Sequence, residues 1–499
     1  MKIRVIGGGL AGPEAALTAA RLGCQVDLYE MRAVVDGKPR LTPAHQTTDF
    51  GELVCSNSLK SESVNTAPWL LKQEMRRGGS ALLEIADECA VPAGHALAVD
   101  RVEFSRRISE SIAAQPLIHV IREEVTRLDP PAADLAATIV ATGPLTSDAL
   151  SREIERLTGS GHLAFYDSIS PIVDAETIDM SRVYFAARWD KGTADYINCP
   201  MDRAEYDRFY EALVAAEPAE ARDWEKLDYF EGCLPIEVLA RRGRDTLRFG
   251  PMKPVGLRDP RTGKNPWAVV QLRKENLRAS SYNLVGFQNH LKFGEQARIL
   301  RLIPGLENAR FLRYGQIHRN TYICAPALLD ECLRLSPWHC HPERRPSAVT
   351  EDRSRRTCDS FSAEPVRESG QVEGPAVFPA QHTILFAGQL CGVEGYTESI
   401  ATGLLAGIYA AALARGQELA PVPRATALGS LVHYITHADA KNFQPANITF
   451  DLLEPLEEEL RRKVRDKQER HRIQCERALA AFDAWRTACA QALAAIGPG

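Results

Sequence analysis

Along the first thirty residues the apolar positions change period twice. Ile3, Val5 and Ile6 against Lys2 and Arg4 predict a buried strand over residues 2–6. The run Gly7-Gly8-Gly9-Leu10-Ala11-Gly12 follows, and the alanine-rich stretch from Pro13 to Leu22 reads as a helix, proline being tolerated in a first turn. Gly23 ends that helix, and Gln25 to Tyr29 form a second strand that stops at Glu30. Two more strands are predicted far apart: Ala136 to Ala141, running into Thr142-Gly143, and Thr383 to Phe386, running into Ala387-Gly388-Gln389. After Gly392-Val393-Glu394-Gly395-Tyr396 an apolar, glycine-spaced helix is expected from Glu398 to about Ala414. Pro337 to Gln381 has no periodicity and is rich in Pro, Ser, Arg and Glu; it buries too little apolar surface to offset its ordering entropy, so a disordered loop is expected. Glu454 to Ala495 reads as a charged, partly packed helix, since no strict heptad is sustained.

Strand, glycine turn, helix, strand and terminal acid together make a dinucleotide-binding fingerprint, in which Gly7, Gly9 and Gly12 allow backbone N–H groups to approach a pyrophosphate. Gly8, Leu10 and Ala11 belong to the same loop, and Glu30 is placed to accept hydrogen bonds from ribose hydroxyls. FAD and NAD share this fingerprint. What decides between them is the Gly/Ser/Asn-rich stretch Phe50 to Ser61, which lies where flavoproteins lay a loop on the isoalloxazine ring, together with the late glycine turn at Gly388 and Gly395. Only Cys55 occurs in that stretch, whereas a disulfide oxidoreductase would place two cysteines there. The predicted fold class is therefore α/β, a Rossmann-like FAD-binding domain built from both ends of the chain with an inserted α+β domain. The expected division is 1–150 and 382–453 for the FAD domain, 151–320 for the insert, 321–336 for the return, 337–381 for the loop, and 454–499 for the terminal helix.

Composition narrows the class. At 499 residues, 45% hydrophobic and 25% charged, the chain has the balance of a globular protein of roughly three domains at about 150 residues each. The run Ile400 to Leu413, broken by Thr402, Gly403 and Gly407, falls short of the ~20 residues a membrane span needs. With no apolar signal core at the N-terminus, a cytoplasmic protein is expected. The net charge of −5 argues against a general nucleic-acid binder, but Arg241 to Arg319 is strongly basic within an otherwise acidic chain, a candidate surface for a polyanion. The 12 cysteines include no C-x-x-C pair; Cys24, Cys89, Cys199, Cys332, Cys475 and Cys489 read as small buried residues, and Cys391 as ambiguous. His339, Cys340, His341 and Cys358 lack paired ligand spacing, and His433 with His437, spaced as in a zinc site, lacks the Glu of a metalloprotease helix and reads as a structural or phosphate-facing pair, so no metal is expected.

Several runs resemble the flavin- and folate-dependent tRNA uracil-5 methyltransferases, which are related to the glucose-inhibited division protein A family. They are Gly7 to Gly12, Glu52-Leu53-Val54-Cys55-Ser56-Asn57-Ser58, Glu231-Gly232-Cys233-Leu234-Pro235-Ile236-Glu237 and Gln288-Asn289-His290-Leu291. Ile317 to Tyr322, Gly392 to Tyr396 and His437 to Pro445 match as well. Cys324 and the 337–381 loop depart from the family pattern. The resemblance implies that FAD carries a methylene from 5,10-methylenetetrahydrofolate to the T-loop uridine of tRNA, forming 5-methyluridine, and that NADPH or NADH restores reduced FAD. It implies Cys233 as the nucleophile at uracil C6 and Cys55 as the base that removes the C5 proton. This agrees with the chemistry, because C5 is a poor nucleophile until a thiolate adds at C6, and the cations that follow Cys233, Arg241 and Arg242 among them, would favour a thiolate. His290, His318 and Arg319, flanked by Lys292 and Tyr322, are candidates to hold folate glutamate or RNA phosphate, with bases stacking on the tyrosines. Two alternatives remain: an FAD protein that modifies the wobble uridine, and a non-catalytic tRNA-binding flavoprotein.

Overall fold

The computed structural model describes residues 1–42, 44–128, 134–159, 163–168, 170–218, 234–315, 317–336 and 383–494, with backbone only for 163–168 and 317–320. Five parallel strands run in the order Thr383–Phe386, Leu135–Val140, Lys2–Ile6, Gln25–Tyr29 and Ile118–Ile121. The two predicted strands from the middle and late chain thus lie side by side, pairing Thr383 with Ala137 and Phe386 with Val140. Ile3, Val5, Leu28 and Ile139 are completely buried, as expected where helices cover both faces of a parallel sheet.

Helix Ala11–Arg21 follows the first strand and packs along helix Tyr396–Ala414. Glycine makes that contact possible: a Cβ at Gly403 would meet the Ala11 carbonyl oxygen, and one at Gly407 would lie 2.8 Å from that of Ala15. Helix Tyr396–Ala414 is longer than the apolar run suggests. Its 19 residues are long and apolar enough to cross a membrane by length and composition, but 83% of its most apolar window is buried inside the protein, the signature of a core helix.

The insert has its own core around Phe209, Val270, Leu272 and Phe287. Six strands form its sheet, in the order Tyr184–Ala186, Tyr196–Met201, Ala268–Lys274, Ser281–Leu284, Ile172–Asp174 and Phe311–Arg313. Helices Arg203–Val214, Ile236–Arg241 and Phe293–Leu300 accompany it. The antiparallel pair Leu163–Ser168 and Ile317–Tyr322 joins the two chain crossings between this unit and the Rossmann-like domain. The architecture is a Rossmann-like domain assembled from both ends of the chain, with an α+β unit inserted.

The C-terminal segment forms helices Glu458–Lys463 and Lys467–Ala494. Cys475, Ala478, Phe482, Trp485, Cys489 and Leu493 recur every three or four positions and are the buried face of the longer helix. Trp485 Nε1 donates to the Ala420 carbonyl at 2.9 Å, tying this helix to the Rossmann-like domain.

Candidate active site

A cleft opens at the C-terminal ends of the parallel strands, the position where open α/β sheets bind ligands. Gly7 to Ala11, Glu30, Thr142 and Gly388 line it. Gly7 has φ +116°, and a Cβ there would collide with the Ala141 carbonyl. Gly9 faces open space, while a Cβ at Gly12 would collide with the Gly7 carbonyl. No side chain caps helix Ala11–Arg21 or helix Tyr396–Ala414, whose N-cap is Gly395. Their first-turn N–H groups are left for an anionic ligand.

Glu30 does more than end a strand. Its Oε2 accepts from the Gly8 N–H at 2.7 Å, and its Oε1 accepts from the Arg32 backbone N–H at 2.8 Å and from Nε at 3.0 Å. Arg32 is 2% exposed and reaches the Gly8 carbonyl and Glu52 as well. Burial works to raise the Glu30 carboxyl pKa, but the Arg32 guanidinium and the N–H donors outweigh it, and the group is held below the usual carboxylate range. Both oxygens are therefore engaged already, so a ribose hydroxyl bound here has to share or displace an Arg32 contact. In the sequence, Arg32 is marked only as a cation two residues after the fingerprint acid, a signal too weak to single it out.

Cys55 is half-exposed in the loop that follows Glu52, next to Val54, which lines the cleft. The Tyr396 hydroxyl accepts from the Cys55 backbone N–H at 2.7 Å and from that of Ser56 at 3.3 Å. Burial pushes the Tyr396 phenol well above its usual pKa, so it stays a neutral anchor. Arg101 donates to the Leu53 carbonyl at 2.5 Å and pairs with Glu275 of the insert at 2.9 Å. Asn57 is fully buried and donates to the carbonyls of Val99 and Lys274. The loop carrying Cys55 is thus pinned at once to the cleft, to its own domain and to the insert.

Comparison with known proteins places this arrangement. The model of the family described as Glucose inhibited division protein A matches residues 2–337 and 376–418. The chain is 62% identical over 485 residues to Methylenetetrahydrofolate--tRNA-(uracil-5-)-methyltransferase TrmFO of Koribacter versatilis (strain Ellin345), covering 97% of this chain and 98% of that protein. It is 57% identical to the protein of the same name from Solibacter usitatus (strain Ellin6076), covering 97% of this chain and 99% of that one. The chain belongs to the TrmFO family. Among solved structures, GidA of Aquifex aeolicus in its form II crystal aligns with TM-score 0.64 at 16% identity, covering 99% of this chain and 75% of that chain, and shows the shared fold.

The other TrmFO motifs fall partly together. Cys233 lies outside the described residues. Its run continues into helix Ile236–Arg241, where the Ile236 N–H donates to the Gln288 carbonyl at 2.7 Å and Glu237 Oε1 accepts from the His290 N–H at 2.8 Å. Ile236 and Glu237 at the end of one motif are therefore in contact with Gln288 and His290 of the other. Burial raises the Glu237 carboxyl to a pKa of about 7, and its Oε2 has no partner among the described residues. Burial also lowers the pKa of His290. Arg241 and Arg242 are exposed just beyond this contact, whereas the side chains of His318 and Arg319 lie outside what is described.

Two expectations change. Tyr322 is 6% exposed, and its ring packs against Phe443, so it is a core residue and no platform for an RNA base. The basic block is also less available than its charge suggests. Arg244, Arg248, Arg261, Lys292, Arg298 and Arg310 are each paired with a carboxylate, and Arg313 is half-buried. Lys253, Arg258 and Lys264 are exposed on one loop with no ion pair among the described residues. Cys391 is resolved as structural: fully buried, its thiol donates to the Gly388 carbonyl at 3.0 Å and is pushed up to a pKa of about 12.

Proposed function

We propose that this TrmFO-family chain methylates the T-loop uridine of tRNA at C5, taking carbon from 5,10-methylenetetrahydrofolate with FAD as carrier and NADPH or NADH as reductant. The relatives' names support the methyl donor and the tRNA substrate. The observation that carries the reading is the seat of Cys55: a half-exposed thiol beside a dinucleotide-type cleft, in a loop anchored by Tyr396 and Arg101.

The donors around the cleft suit FAD. Gly7 to Gly12 and the open start of helix Ala11–Arg21 would receive the pyrophosphate, Glu30 with Arg32 the adenosine end, and Gly388 and Gly395 the turn beside the isoalloxazine. When bound, the flavin supplies the electrons and the one-carbon transfer. Cys233 would add to uracil C6, making C5 nucleophilic; once the carbon is attached, Cys55 would take the C5 proton, and the C6–sulfur bond would break with Cys233 leaving as a thiolate. As a base, Cys55 has to be a thiolate. Arg101 and Arg313 both interact electrostatically with Cys55, and two guanidinium groups favour that charge state.

RNA phosphates would meet Arg241, Arg242 and the Lys253–Lys264 loop, with His290, His318 and Arg319 as further contacts. Beside that loop Trp189 is 65% exposed, with its backbone N–H on the Gly256 carbonyl at 2.7 Å, and offers an indole face to an unstacked base. Incubating the purified protein with unmodified tRNA, carbon-labelled methylenetetrahydrofolate and NADPH tests the reading. Label in T-loop 5-methyluridine is expected; label at a wobble nucleoside, or none in RNA, overturns it.

A further inference from the structure

A second cluster lies on helix Ala427–His437, built from residues the methylation chemistry does not use. His433 and His437 are one turn apart, and their rings stack with centroids 4.3 Å apart. Glu331 comes from a different part of the chain, the segment between Leu329 and Leu335, and its Oε1 lies 3.7 Å from His437 Nε2. One ligand atom from each of the three side chains falls within 4.8 Å of the other two. In a tetrahedral zinc site with bonds of about 2.0–2.1 Å the ligand atoms stand roughly 3.3 Å apart, so closing the site asks these three atoms to draw together.

The surrounding hydrogen bonds set the tautomer that a metal needs. Thr436 Oγ1 donates to the Val432 carbonyl at 2.8 Å, which uses its proton, and its lone pair faces His437 Nδ1 at 2.9 Å. With the Thr436 proton on that carbonyl, Nδ1 is the ring nitrogen that carries hydrogen and Nε2 the one that presents its lone pair, on the side where Glu331 stands. Two imidazoles and a carboxylate are a donor set for zinc or a similar divalent transition metal, with a fourth position left to water.

We propose that Glu331, His433 and His437 form a binding site for a divalent transition-metal ion, with zinc as its representative, separate from the flavin cleft. The ion would clamp helix Ala427–His437 to the segment that flanks the sheet's outer strand, since the Leu335 N–H donates to the Ile384 carbonyl and the Phe386 N–H to the Leu333 carbonyl. That strand leads to Gly388. The site would thus brace the edge of the cleft without touching the reaction.

Zinc titration of the chelator-stripped, full-length protein against a chromophoric competitor tests this. Because the chain carries free thiols, the quantity read is the difference between the wild type and the variants. The double variant H433A/H437A should lose one zinc equivalent, E331Q should weaken it by about tenfold or more, and T436V should weaken it by at least about tenfold through the freed His437 ring. Cobalt bound at the same site should lack thiolate charge-transfer absorption in the wild type. Retained FAD binding and an unchanged circular dichroism spectrum in the metal-free variants exclude misfolding as the cause. Equal zinc stoichiometry and affinity in the wild type and H433A/H437A, or a cobalt spectrum of thiolate type that the double variant leaves intact, would overturn the proposal.

Discussion

Replacing Arg32 by alanine tests the electrostatic frame of the cleft. The guanidinium is 2% exposed and faces Glu30 and Glu52, themselves 5% and 7% exposed. Its removal leaves two buried carboxylates without their cation, a change that costs about 3–5 kcal/mol where one partner of a buried pair is deleted. For a cooperative unit of about 150–250 residues that corresponds to a fall of roughly 6–20 °C in melting temperature. Differential scanning fluorimetry at pH 7, with and without added FAD, reads the effect. The pH dependence has a definite sign. The folded-state pKa of Glu30 lies below its unfolded value, so its contribution is present above about pH 4.3 and is lost as the pH falls through the lower, folded value. The gap between wild type and R32A should therefore narrow in acid. The double variant E30Q/R32M, which removes charge from both sides of that pair, should recover part of the loss. A melting temperature for R32A within a degree or two of wild type at pH 7, or a gap that widens in acid, would refute the argument.

Other consequences follow from single contacts. Y396F deletes the acceptor of two backbone N–H groups in the Cys55 loop, at a cost of about 0.5–1.5 kcal/mol because these donors are only partly buried, and should slow methylation while FAD remains bound, as measured by flavin absorbance and single-turnover labelling. Glu237 has a folded pKa of about 7, above its unfolded value, so the stability it contributes is lost as the pH rises from about 4.3 to 7; E237Q should flatten that slope in pH-dependent melting curves. G403L places a side chain against the Ala11 backbone and should destabilise the protein by about 1–3 kcal/mol in urea titration, with loss of FAD affinity because the Ala11–Arg21 helix is pushed off the cleft. W189A should raise the KM for tRNA by about 5- to 150-fold at unchanged kcat, the equivalent of one stacked base at about 1–3 kcal/mol, and W189F should restore much of it.

The Rossmann-like half was legible because its signals are local. The period-2 strand at residues 2–6, the glycine run and the acid at Glu30 each declare themselves within a few residues, and the observed strands Gln25–Tyr29 and Thr383–Phe386 have the predicted bounds. The insert was legible only as a class, because its antiparallel pairings join strands such as Ile172–Asp174 and Phe311–Arg313 that lie far apart in sequence. For the same reason the anchors of Cys55 were invisible. Tyr396 and Arg101 reach the loop from other elements, and nothing in the Phe50–Ser61 run announces them. Charge counting overstated the number of unpaired cations in the insert because a sum over sequence ignores pairing: Arg244 and Arg310 look like free cations until Asp207 and Asp174 are brought beside them. Tyr322 failed as a stacking platform because one aromatic residue in a polar motif carries no information about which way its strand faces.

The account rests on two thiols acting on one uracil. Its most direct test is to run wild type, C55A and C233A, each with FAD bound, against unmodified tRNA and labelled methylenetetrahydrofolate, and to resolve protein–RNA adducts from free 5-methyluridine. The account predicts that C233A forms neither adduct nor product, and that C55A forms the covalent adduct but releases no 5-methyluridine. Full methylation by either variant would contradict it.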